Sequence, residues 1–350
     1  MILITGSAGL IGSSCSELFL KKKFEIIGID NNYRKKFFGK IADVSKKILE
    51  LKKNKQYRHL NIDISNYNQL KTIFKSYSKD ISLIIHCAAQ PSHDYAKNKL
   101  YLDNKINLLG TLNLLDLYSK YCPKSKFIFL STNKVYGDAI NSEVFYENKT
   151  RYYPKNLNIR KNGIGENYPI DQSTHSYFGC SKLSADIYVQ EFGRNNRLDT
   201  TVLRGGCLTG PSHQGAQLHG FLSFLVKCHA QSKKYTIFGH HGKQVRDNIH
   251  SHDMANLVYK IYKGKKNYGE VFNIGGGKEN NCSVLEAIKI LEKISKKKLD
   301  YSISNKIRTG DHIWWISNLN KIKLYYPTWS QKYTIEETLK DIYLNEKKFI

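Results

Sequence analysis

The sequence lacks long hydrophobic runs, paired cysteine motifs and metal-binding motifs. No apolar stretch approaches the ~20 residues that a membrane-spanning helix needs. The seven cysteines are odd in number and include no CxxC pair, which argues against a disulfide framework or a zinc site and favours a reducing, cytoplasmic compartment. The histidines show no ligand spacing such as HExxH, so no metal is expected.

Repeats and low-complexity linkers are absent as well. Residues 1–5 run directly into a glycine-rich loop, so we expect no signal or transit peptide. The chain has 350 residues, of which 41% are hydrophobic. This is enough for a full core, either as one large α/β domain or as two lobes.

Acidic residues are scarce: the chain has 30 of them and 55 lysines and arginines, and the net charge is +25. Such a charge is compatible with a nucleic-acid or membrane-surface partner. The basic residues are nevertheless spread in short runs such as 21–23 and 296–298, with no basic arm and no recognition motif. We therefore attribute the charge to general composition, and expect no nucleic-acid and no membrane partner.

Short apolar runs alternate with helix-like stretches over the first two hundred residues. Strands are predicted at 2–5, 24–29, 83–86, 127–130 and 200–203, and helices at 9–22, 104–120 and 179–194. This alternation is typical of a parallel sheet covered on both faces. After about residue 204 the pattern is mixed, with helices at 221–231 and 283–295 and a strand at 235–238. We predict an α/β fold with a Rossmann doubly wound parallel sheet and a smaller C-terminal α/β lobe.

Gly6, Gly9 and Gly12 lie between the first predicted strand and the first predicted helix, with Leu10 and Ile11 inside the loop. The first glycine permits a tight turn, the second lets the backbone approach a pyrophosphate, and the third lets the helix pack closely. The phosphates then meet the positive end of the helix dipole. The context predicts a dinucleotide site, and the alternative is a glycine loop that serves turn geometry alone.

Asp30 ends the second predicted strand, about 20 residues after the loop, as the dinucleotide fingerprint requires. A carboxylate there accepts hydrogen bonds from ribose hydroxyls and repels a 2′-phosphate, so the cofactor is predicted to be NAD rather than NADP. Asn31 and Arg34 are also expected at the cofactor, and Arg34 weakens the preference slightly. We expect the NAD-binding domain to comprise 1–203 plus roughly 245–275, and a substrate lobe to comprise 204–244 and 276–350.

Further motifs carry a resemblance to a known family. Besides the GxxGxxG loop, they are STNKVYG at 131–137, GCSK at 179–182, GKQVRDNIH at 242–250 and NIGG at 273–276. From residue 1 to about 340 the chain resembles the extended short-chain dehydrogenase/reductases, in their NAD-dependent epimerase/dehydratase family, and within it the CDP-paratose 2-epimerases (CDP-tyvelose epimerases).

The resemblance implies an NAD-dependent epimerase of a nucleotide-linked sugar. In the family, hydride leaves a carbinol carbon, a transient keto sugar forms, and hydride returns to the opposite face. A nucleotide-sugar dehydrogenase and an NAD-binding protein with altered chemistry are the alternatives. A 4,6-dehydratase is disfavoured because Asn133 and Lys134 stand where that group has Asp-Glu.

Two catalytic positions carry over from the family, and a third does not. Thr132 matches the hydroxyl that relays a proton to the sugar oxygen, and Lys182 matches the lysine that binds the nicotinamide ribose. Such a lysine also lowers the pKa of a catalytic tyrosine. The tyrosine belongs four residues before the lysine, where this chain has Phe178.

Tyr177 is the first candidate to replace the missing tyrosine. Tyr177 lies five residues before the lysine, which on a helix places it roughly 100° away from the position four residues before the lysine. It would turn inward if the loop 150–176 is remodelled. Our hypothesis is that Tyr177 is the base. The alternatives are that Thr132, Cys180 or His175 acts with Lys182, or that the site is altered.

Other cofactor contacts are implied by the resemblance: Asp63 and Ile64 at the adenine, and Ala88, Ala89, Gln90 and Asn107 along the cofactor. The alternative for Asp63 is a strand-end residue that caps a turn. Asn107 opens a helix whose apolar side, with Leu108, Leu112 and Leu115, is expected at the helix–helix interface of a homodimer.

The substrate is expected to be a nucleotide-diphosphate sugar, with a CDP-sugar favoured. Arg246 and Arg308 are predicted to clamp the diphosphate, since arginine presents a planar fork to phosphate oxygens. Asp311 is predicted to orient the arginine or to touch a ribose, and the alternative for each arginine is a solvated surface charge. Positions matched to the nucleotide sugar are Thr132, Asn133, Cys207, Gly220, Thr236 and Phe238.

Overall fold

The structure is a computed structural model that describes residues 1–213, 215, 220–307 and 310–348. Its strands are β1 (Ile2–Thr5), β2 (Ile26–Ile29), β3 (Tyr57–Leu60), β4 (Leu83–His86), β5 (Lys126–Thr132), β6 (Phe145–Glu147), β7 (Tyr152–Pro154), β8 (Asp199–Gly205), β9 (Cys207–Thr209), β10 (Tyr235–Phe238), β11 (Val245–His250), β12 (Tyr268–Ile274), β13 (Asn281–Ser283), β14 (Tyr301–Ser304) and β15 (Trp314–Trp315). Its helices are α1 (Leu10–Lys21), α2 (Tyr33–Phe38), α3 (Ser45–Lys52), α4 (Tyr67–Ser76), α5 (His93–Asn98), α6 (Leu100–Asn104), α7 (Gly110–Tyr121), α8 (Leu157–Asn162), α9 (Tyr177–Asn195), α10 (Phe221–Ala230), α11 (Ser251–Lys263), α12 (Val284–Ser295), α13 (Asn320–Tyr325) and α14 (Ile335–Lys347).

A seven-stranded sheet organises the first part of the fold, in the order β12-β8-β5-β4-β1-β2-β3. The pairings of β1 with β2 and β4, of β2 with β3 and of β4 with β5 are parallel. Its buried face packs on helices through aliphatic and aromatic side chains that include Leu3, Ile84 and Phe127. The predicted fold class, a Rossmann-type parallel sheet flanked by helices, is confirmed.

The predicted strands and helices of this sheet lie close to the observed ones. The second strand begins at Ile26 rather than at residue 24, because Phe24 N–H still donates to Phe19 O at the end of α1. The helix predicted at 104–120 is divided by a π-helical turn, Lys105–Leu109, between α6 and α7. Such turns carry one extra residue per turn and are frequent near functional sites.

Two compact units divide the chain. The first comprises Met1–Val135, Tyr177–Arg204 and Met254–Phe272, and the second comprises Tyr136–Ser176, Gly205–Asp253 and the chain from Asn273 onward. This division differs from the predicted boundaries, which placed 136–176 and 245–253 with the sheet. The reason is pairing within the second unit: Ile164 bridges to Ser317, and β11 pairs with β9, β13 and β15. The binding role of each unit stays a prediction.

The second unit has its own core, formed by α10, α12 and α14 together with the β10–β14 pair. The predicted helix 283–295 is present, and Ser283 is its N-cap. Ser283 Oγ accepts from Glu286 N–H while the Glu286 carboxylate accepts from Ser283 N–H, which forms a capping box. Within the described ranges, no helix is long and apolar enough to cross a membrane.

Candidate active site

The glycine loop between β1 and α1 has the geometry that the sequence predicts. Gly6 has φ +66°, and a Cβ on it would lie 2.8 Å from Ala88 N. A Cβ on Gly12 would lie 2.0 Å from Gly6 O, so α1 can approach the loop only because residue 12 is glycine. Gly9 is the N-cap of α1 and has no side chain to occupy the first N–H groups of the helix, at Leu10 and Ile11. The loop therefore fits a pyrophosphate at a helix N-terminus.

Asp30 follows β2 and faces this loop. Its Oδ2 accepts from Ala8 N–H at 2.9 Å, and its Oδ1 accepts from Asn32 N–H at 2.9 Å. Next to it, Asn31 Oδ1 accepts from Tyr33 N–H, and the Arg34 guanidinium lies 5.2 Å from the centre of the Phe38 ring. The carboxylate is thus held at the edge of the glycine loop, where it fits the ribose hydroxyls of NAD.

Replacing Asp30 by alanine is expected to weaken NAD binding about tenfold to a hundredfold and to abolish the preference for NAD over NADP. The substitution removes hydrogen bonds to the ribose together with the charge that repels a 2′-phosphate. Dissociation constants for both cofactors, measured by calorimetry, check the prediction. Asp30→Asn is the matched control, because it keeps the shape and loses only the charge. An unchanged NAD-to-NADP ratio in Asp30→Ala would contradict the assignment.

The other predicted cofactor positions lie after β3 and β4. Asp63 Oδ1 accepts from Ser65 N–H at 2.9 Å, so it caps a turn in this structure, and Ile64 is buried in the core of the first unit. Ala88 and Ala89 follow β4, where Ala88 N–H donates to Thr5 Oγ1 at 3.2 Å. Adenine contacts for Asp63 and Ile64, and cofactor contacts for the two alanines, stay predictions.

Gln90 and Asn107 belong to a buried polar network, together with Asp103 and Ser181. Gln90 Nε2 and Asn107 Nδ2 donate to Asp103 Oδ1 at 2.7 and 3.0 Å, and Gln90 N–H donates to Asn107 Oδ1 at 2.8 Å. Asn107 Nδ2 also lies 3.0 Å from Ser181 Oγ, which donates to Phe178 O. The network ties the loop after β4 to the first turn of α9. Asp103 was missed by the sequence analysis, since no motif surrounds it and its burial depends on tertiary packing.

Lys182 is buried on α9, with 3% of its surface exposed. Its Nζ donates to Leu130 O at 2.8 Å and lies 3.9 Å from the centre of the Phe129 ring. Burial lowers the pKa of the ammonium to about 7, against the opposing effects of Asp186, Cys87 and Asp103.

Thr132 ends β5, the strand on which the Lys182 ammonium rests. Its hydroxyl oxygen accepts from Lys134 N–H at 3.2 Å, and Asn133 beside it is buried. Thr132 on β5 and Lys182 on α9 therefore lie close to the carboxyl end of the same strand. Open α/β sheets bind their ligands at this edge. Their catalytic roles stay predictions.

The first turn of α9 decides how Tyr177 and Phe178 are presented. The helix begins at Tyr177, so this residue is already helical and the segment before it is not remodelled to turn it inward. Tyr177 is 50% exposed, whereas Phe178 is 7% exposed and shares a helix face with Lys182, four residues on. The Phe178 ring packs edge-on against His93, with ring centres 5.0 Å apart. Tyr177 as the base stays a prediction.

Asp186, Arg204 and Ser131 form a second buried cluster behind the lysine. Arg204 Nε and Nη2 donate to the two carboxylate oxygens of Asp186 at 3.0 and 2.9 Å, and Ser131 Oγ donates to Asp186 Oδ2 at 2.6 Å. Asp186 lies one helical turn after Lys182, and Ser131 precedes Thr132. The cluster thus anchors the backbone at Thr132. The sequence analysis missed it, although a charged residue at the end of an apolar strand, as at Arg204, is a usable signal.

In the second unit, Arg246 and Asp311 form an ion pair. Arg246 Nη2 donates to Asp311 Oδ1 at 2.5 Å, and Nη1 donates to Val245 O at 2.8 Å. Asp311 thus orients the Arg246 guanidinium at the start of β11, and its predicted role at the substrate stays a prediction. Arg308, the other predicted clamp residue, lies outside the described residues.

The remaining predicted substrate positions of the second unit lie on β9, on β10 and before α10. Cys207 begins β9, and Thr236 and Phe238 lie on β10, where Gln244 Nε2 donates to Phe238 O at 3.1 Å. Gly220 has φ +83° as the N-cap of α10. Substrate contacts of these residues stay predictions. Among the described residues, no group of three or more His, Cys, Asp or Glu side chains is arranged to hold a metal ion.

Comparisons with known proteins agree with this architecture. The model of the NAD dependent epimerase/dehydratase family matches residues 2–275. The chain therefore belongs to this family of NAD-dependent enzymes, and the predicted cofactor, NAD, is confirmed as that of the family. Its relatives include CDP-paratose 2-epimerase of Salmonella typhi, 30% identical over 349 residues and covering 98% of both chains.

Two UDP-glucuronate epimerases are also similar to the chain. UDP-glucuronate 4-epimerase of Thermodesulfobacterium geofontis is 30% identical, covering 97% of this chain and 93% of the relative. A mutant UDP-glucuronic acid 4-epimerase from Bacillus cereus, in complex with UDP-4-deoxy-4-fluoro-glucuronic acid and NAD, has a TM-score of 0.80 at 26% identity, with 100% and 99% coverage. The predicted resemblance is thereby confirmed.

Proposed function

We propose that this chain is an NAD-dependent epimerase that inverts one carbinol carbon of a nucleotide-linked sugar. The observation that carries the proposal is the placement of Thr132 and the buried Lys182 ammonium at the carboxyl edge of β5. When bound, NAD supplies hydride chemistry: it takes hydride from the carbon and returns it to the opposite face. Redox is needed because such a carbon carries no acidic proton.

The chain's own residues then bind and orient. The glycine loop and Asp30 would hold the cofactor, Lys182 would donate to its ribose, and the Thr132 hydroxyl would contact the reacting sugar oxygen. In the second unit, Arg246, oriented by Asp311, holds diphosphate oxygens. The full-length similarity to a CDP-paratose 2-epimerase supports a CDP-sugar as the substrate. All seven cysteines are free thiols, which supports a reducing, cytoplasmic setting.

The test begins with the purified protein and the small molecules that co-purify with it. CDP-, UDP-, GDP- and dTDP-sugars are then incubated with it in deuterated water, and products are analysed by NMR. We expect inversion of one carbon of one sugar with no deuterium incorporated at that carbon. Deuterium at that carbon would show that inversion proceeds by enolisation and not by hydride transfer. Absence of turnover across the panel would overturn the proposal.

A second candidate function is supported by Phe178. Phe178 is buried on the helix face that also carries Lys182, so the hydroxyl that carries the proton in the family is missing. A protein of this kind would bind NAD and a nucleotide sugar without turnover. Tight binding of both, with no product and no reduced cofactor, is the result that favours it.

We further propose a homodimer formed through the π-helical turn before α7 and through α9. Leu115, predicted at the interface, belongs instead to the core of the first unit, and Leu108 and Leu112 are half-buried. Exposed apolar side chains are Leu109 on the π-helical turn and Ile187 and Tyr188 on α9. Apolar patches on packed surface helices are typical of protein–protein interfaces.

Ile187→Glu is expected to convert the dimer into a monomer, because it would place a carboxylate in the apolar centre of the interface. Light scattering after size-exclusion chromatography measures the mass. Leu49→Glu, at an exposed apolar position on α3, is the matched control and should leave the mass unchanged. A wild-type protein that is monomeric at micromolar concentration would contradict the proposal.

A further inference from the structure

His93 is the imidazole that lies against Phe178, at the place where the family's tyrosine is missing. Its ring centre is 5.0 Å from that of Phe178, with the rings inclined at 64°. His93 is half-buried. Imidazole is the side chain that most often carries protons in enzymes.

The backbone around His93 is held firmly. Ser92 is the N-cap of α5, and its Oγ accepts from Tyr95 N–H at 3.1 Å. The Gln90 side chain clamps the preceding turn, since its Nε2 donates to Ser92 O at 2.9 Å and its Oε1 accepts from Ser92 N–H at 2.5 Å. Gln90 is completely buried.

The same clamp is connected to the helix that bears Phe178 and Lys182. Gln90 donates to Asp103, and through Asn107 the network reaches Ser181 on α9. This buried polar network ties the backbone at Ser92, next to His93, to the start of α9. Residues that are held in this way are preorganised for chemistry.

The strand order places this loop and Thr132 at one edge. β4 and β5 are adjacent and parallel, and His93 follows the carboxyl end of β4 while Thr132 ends β5. The carboxyl ends of parallel strands meet at the same edge of a sheet, which is where ligands of open α/β folds bind.

We propose that His93 is the catalytic acid–base of the site, in place of the family's tyrosine; the inference rests on the proposed epimerase function. As the carbinol carbon releases hydride to NAD⁺, the hydroxyl bond to hydrogen breaks and its proton passes to an imidazole nitrogen of His93, which leaves a keto sugar, an imidazolium and reduced cofactor. On return of hydride to the other face, the imidazolium gives the proton back to the sugar oxygen.

The first test replaces His93 by glutamine, which keeps a polar side chain of similar reach. Turnover should fall by about a hundredfold or more, which is the usual range for removal of a general acid–base. The midpoint of thermal unfolding, the amount of bound NAD and the dissociation constant for the nucleotide sugar should stay near those of the wild type. Tyr177→Phe decides between His93 and the hypothesis of a Tyr177 base, and its loss of turnover should be smaller than that of His93→Gln. The matched control is His252→Gln, at an exposed histidine near the start of α11, which should turn over within about threefold of the wild type.

Rescue separates proton transfer from a packing role. Added imidazole should restore turnover to His93→Ala in proportion to the free imidazole base, which a packing role would not do. Phe178→Tyr in the His93→Gln background should raise turnover at least about tenfold, since it restores a phenol on the face of Lys182. In the wild type, an imidazole NMR signal that is absent from His93→Gln should shift when nucleotide sugar saturates the protein.

Several results overturn the assignment. They are turnover of His93→Gln within about threefold of the wild type, a larger loss in Tyr177→Phe than in His93→Gln, and failure of both rescues in folded, NAD-loaded variants. A wild type that turns over no nucleotide sugar overturns the proposed function and this inference together. If the wild type turns over a nucleotide sugar and His93→Gln does so at a similar rate, the inference alone is overturned.

Discussion

Lys182→Met is expected to reduce turnover by at least about a thousandfold while making the folded protein more stable at pH 6. Methionine matches the length of the side chain but donates no hydrogen bond, so the proposed donor to the cofactor ribose is removed. Interactions of a charged donor in a buried site are among the strongest that a side chain offers. The loss should appear in kcat, measured at saturating substrate with NAD-loaded protein.

The stability effect follows from the pKa of Lys182. Burial lowers this pKa to about 7, well below the value of about 10.4 in an unfolded chain. Between these two values the unfolded chain binds the proton and the folded chain does not, so the wild type gains stability as pH rises from about 7 to about 10. Below pH 7 it bears the full cost of a buried ammonium. The advantage of Lys182→Met should therefore be largest at pH 6, and should shrink as pH rises towards 10.

Urea unfolding of both proteins at pH 6 and pH 9.5 measures this difference. Lys126→Met is the matched control, because Lys126 is also buried in the first unit but donates to Ile261 O and Lys265 O and pairs with Asp199. That variant should lose stability and keep its turnover. A Lys182→Met protein that is less stable by the same amount at both pH values would contradict the account.

Arg204→Met is expected to lower the free energy of unfolding by about 3–5 kcal/mol, the usual cost of removing one partner of a buried ion pair. Arg204 and Asp186 are both buried, and Arg204 donates to both carboxylate oxygens. Without the guanidinium, Asp186 keeps Ser131 as a hydrogen-bond donor but remains a buried charge. The change is measured by urea unfolding at pH 7.

The double variant Arg204→Met/Asp186→Leu tests whether the cost comes from the stranded carboxylate. Replacing a whole buried pair by apolar residues is often close to neutral, so the double variant should recover most of the stability. Turnover should recover less, because Ser131 would lose its acceptor and Thr132 would be held less precisely. If the double variant is less stable than Arg204→Met, the pair acts through something other than its charge.

Features that depend on neighbouring residues could be predicted from the sequence. The glycine loop, the apolar strands and the Ser283 N-cap each occupy a few consecutive positions, and Asp30 is separated from its loop by one helix and one strand. The side chain of Lys182 could be placed because a motif surrounds it. Phe178 could be seen to depart from that motif for the same reason.

Features that depend on tertiary pairing could not be predicted. Asp103 and Gln90 meet because α6 and the loop after β4 converge, and nothing in their spacing indicates this. The contact between the His93 and Phe178 rings likewise joins residues that are far apart in the chain. The compact units divide the chain differently at 136–176 for the same reason, since Ile164 pairs with Ser317, far away in the chain.

The distribution of thiols along the chain gives the protein a natural labelling position. Among the described residues, which include all seven cysteines, Cys180 alone is exposed, and it lies on α9 between Phe178 and Lys182. Burial and the Asp103 carboxylate raise the pKa of its thiol, so alkylation at neutral pH should be slow and selective. A small fluorophore attached there would report on the catalytic helix without an engineered cysteine.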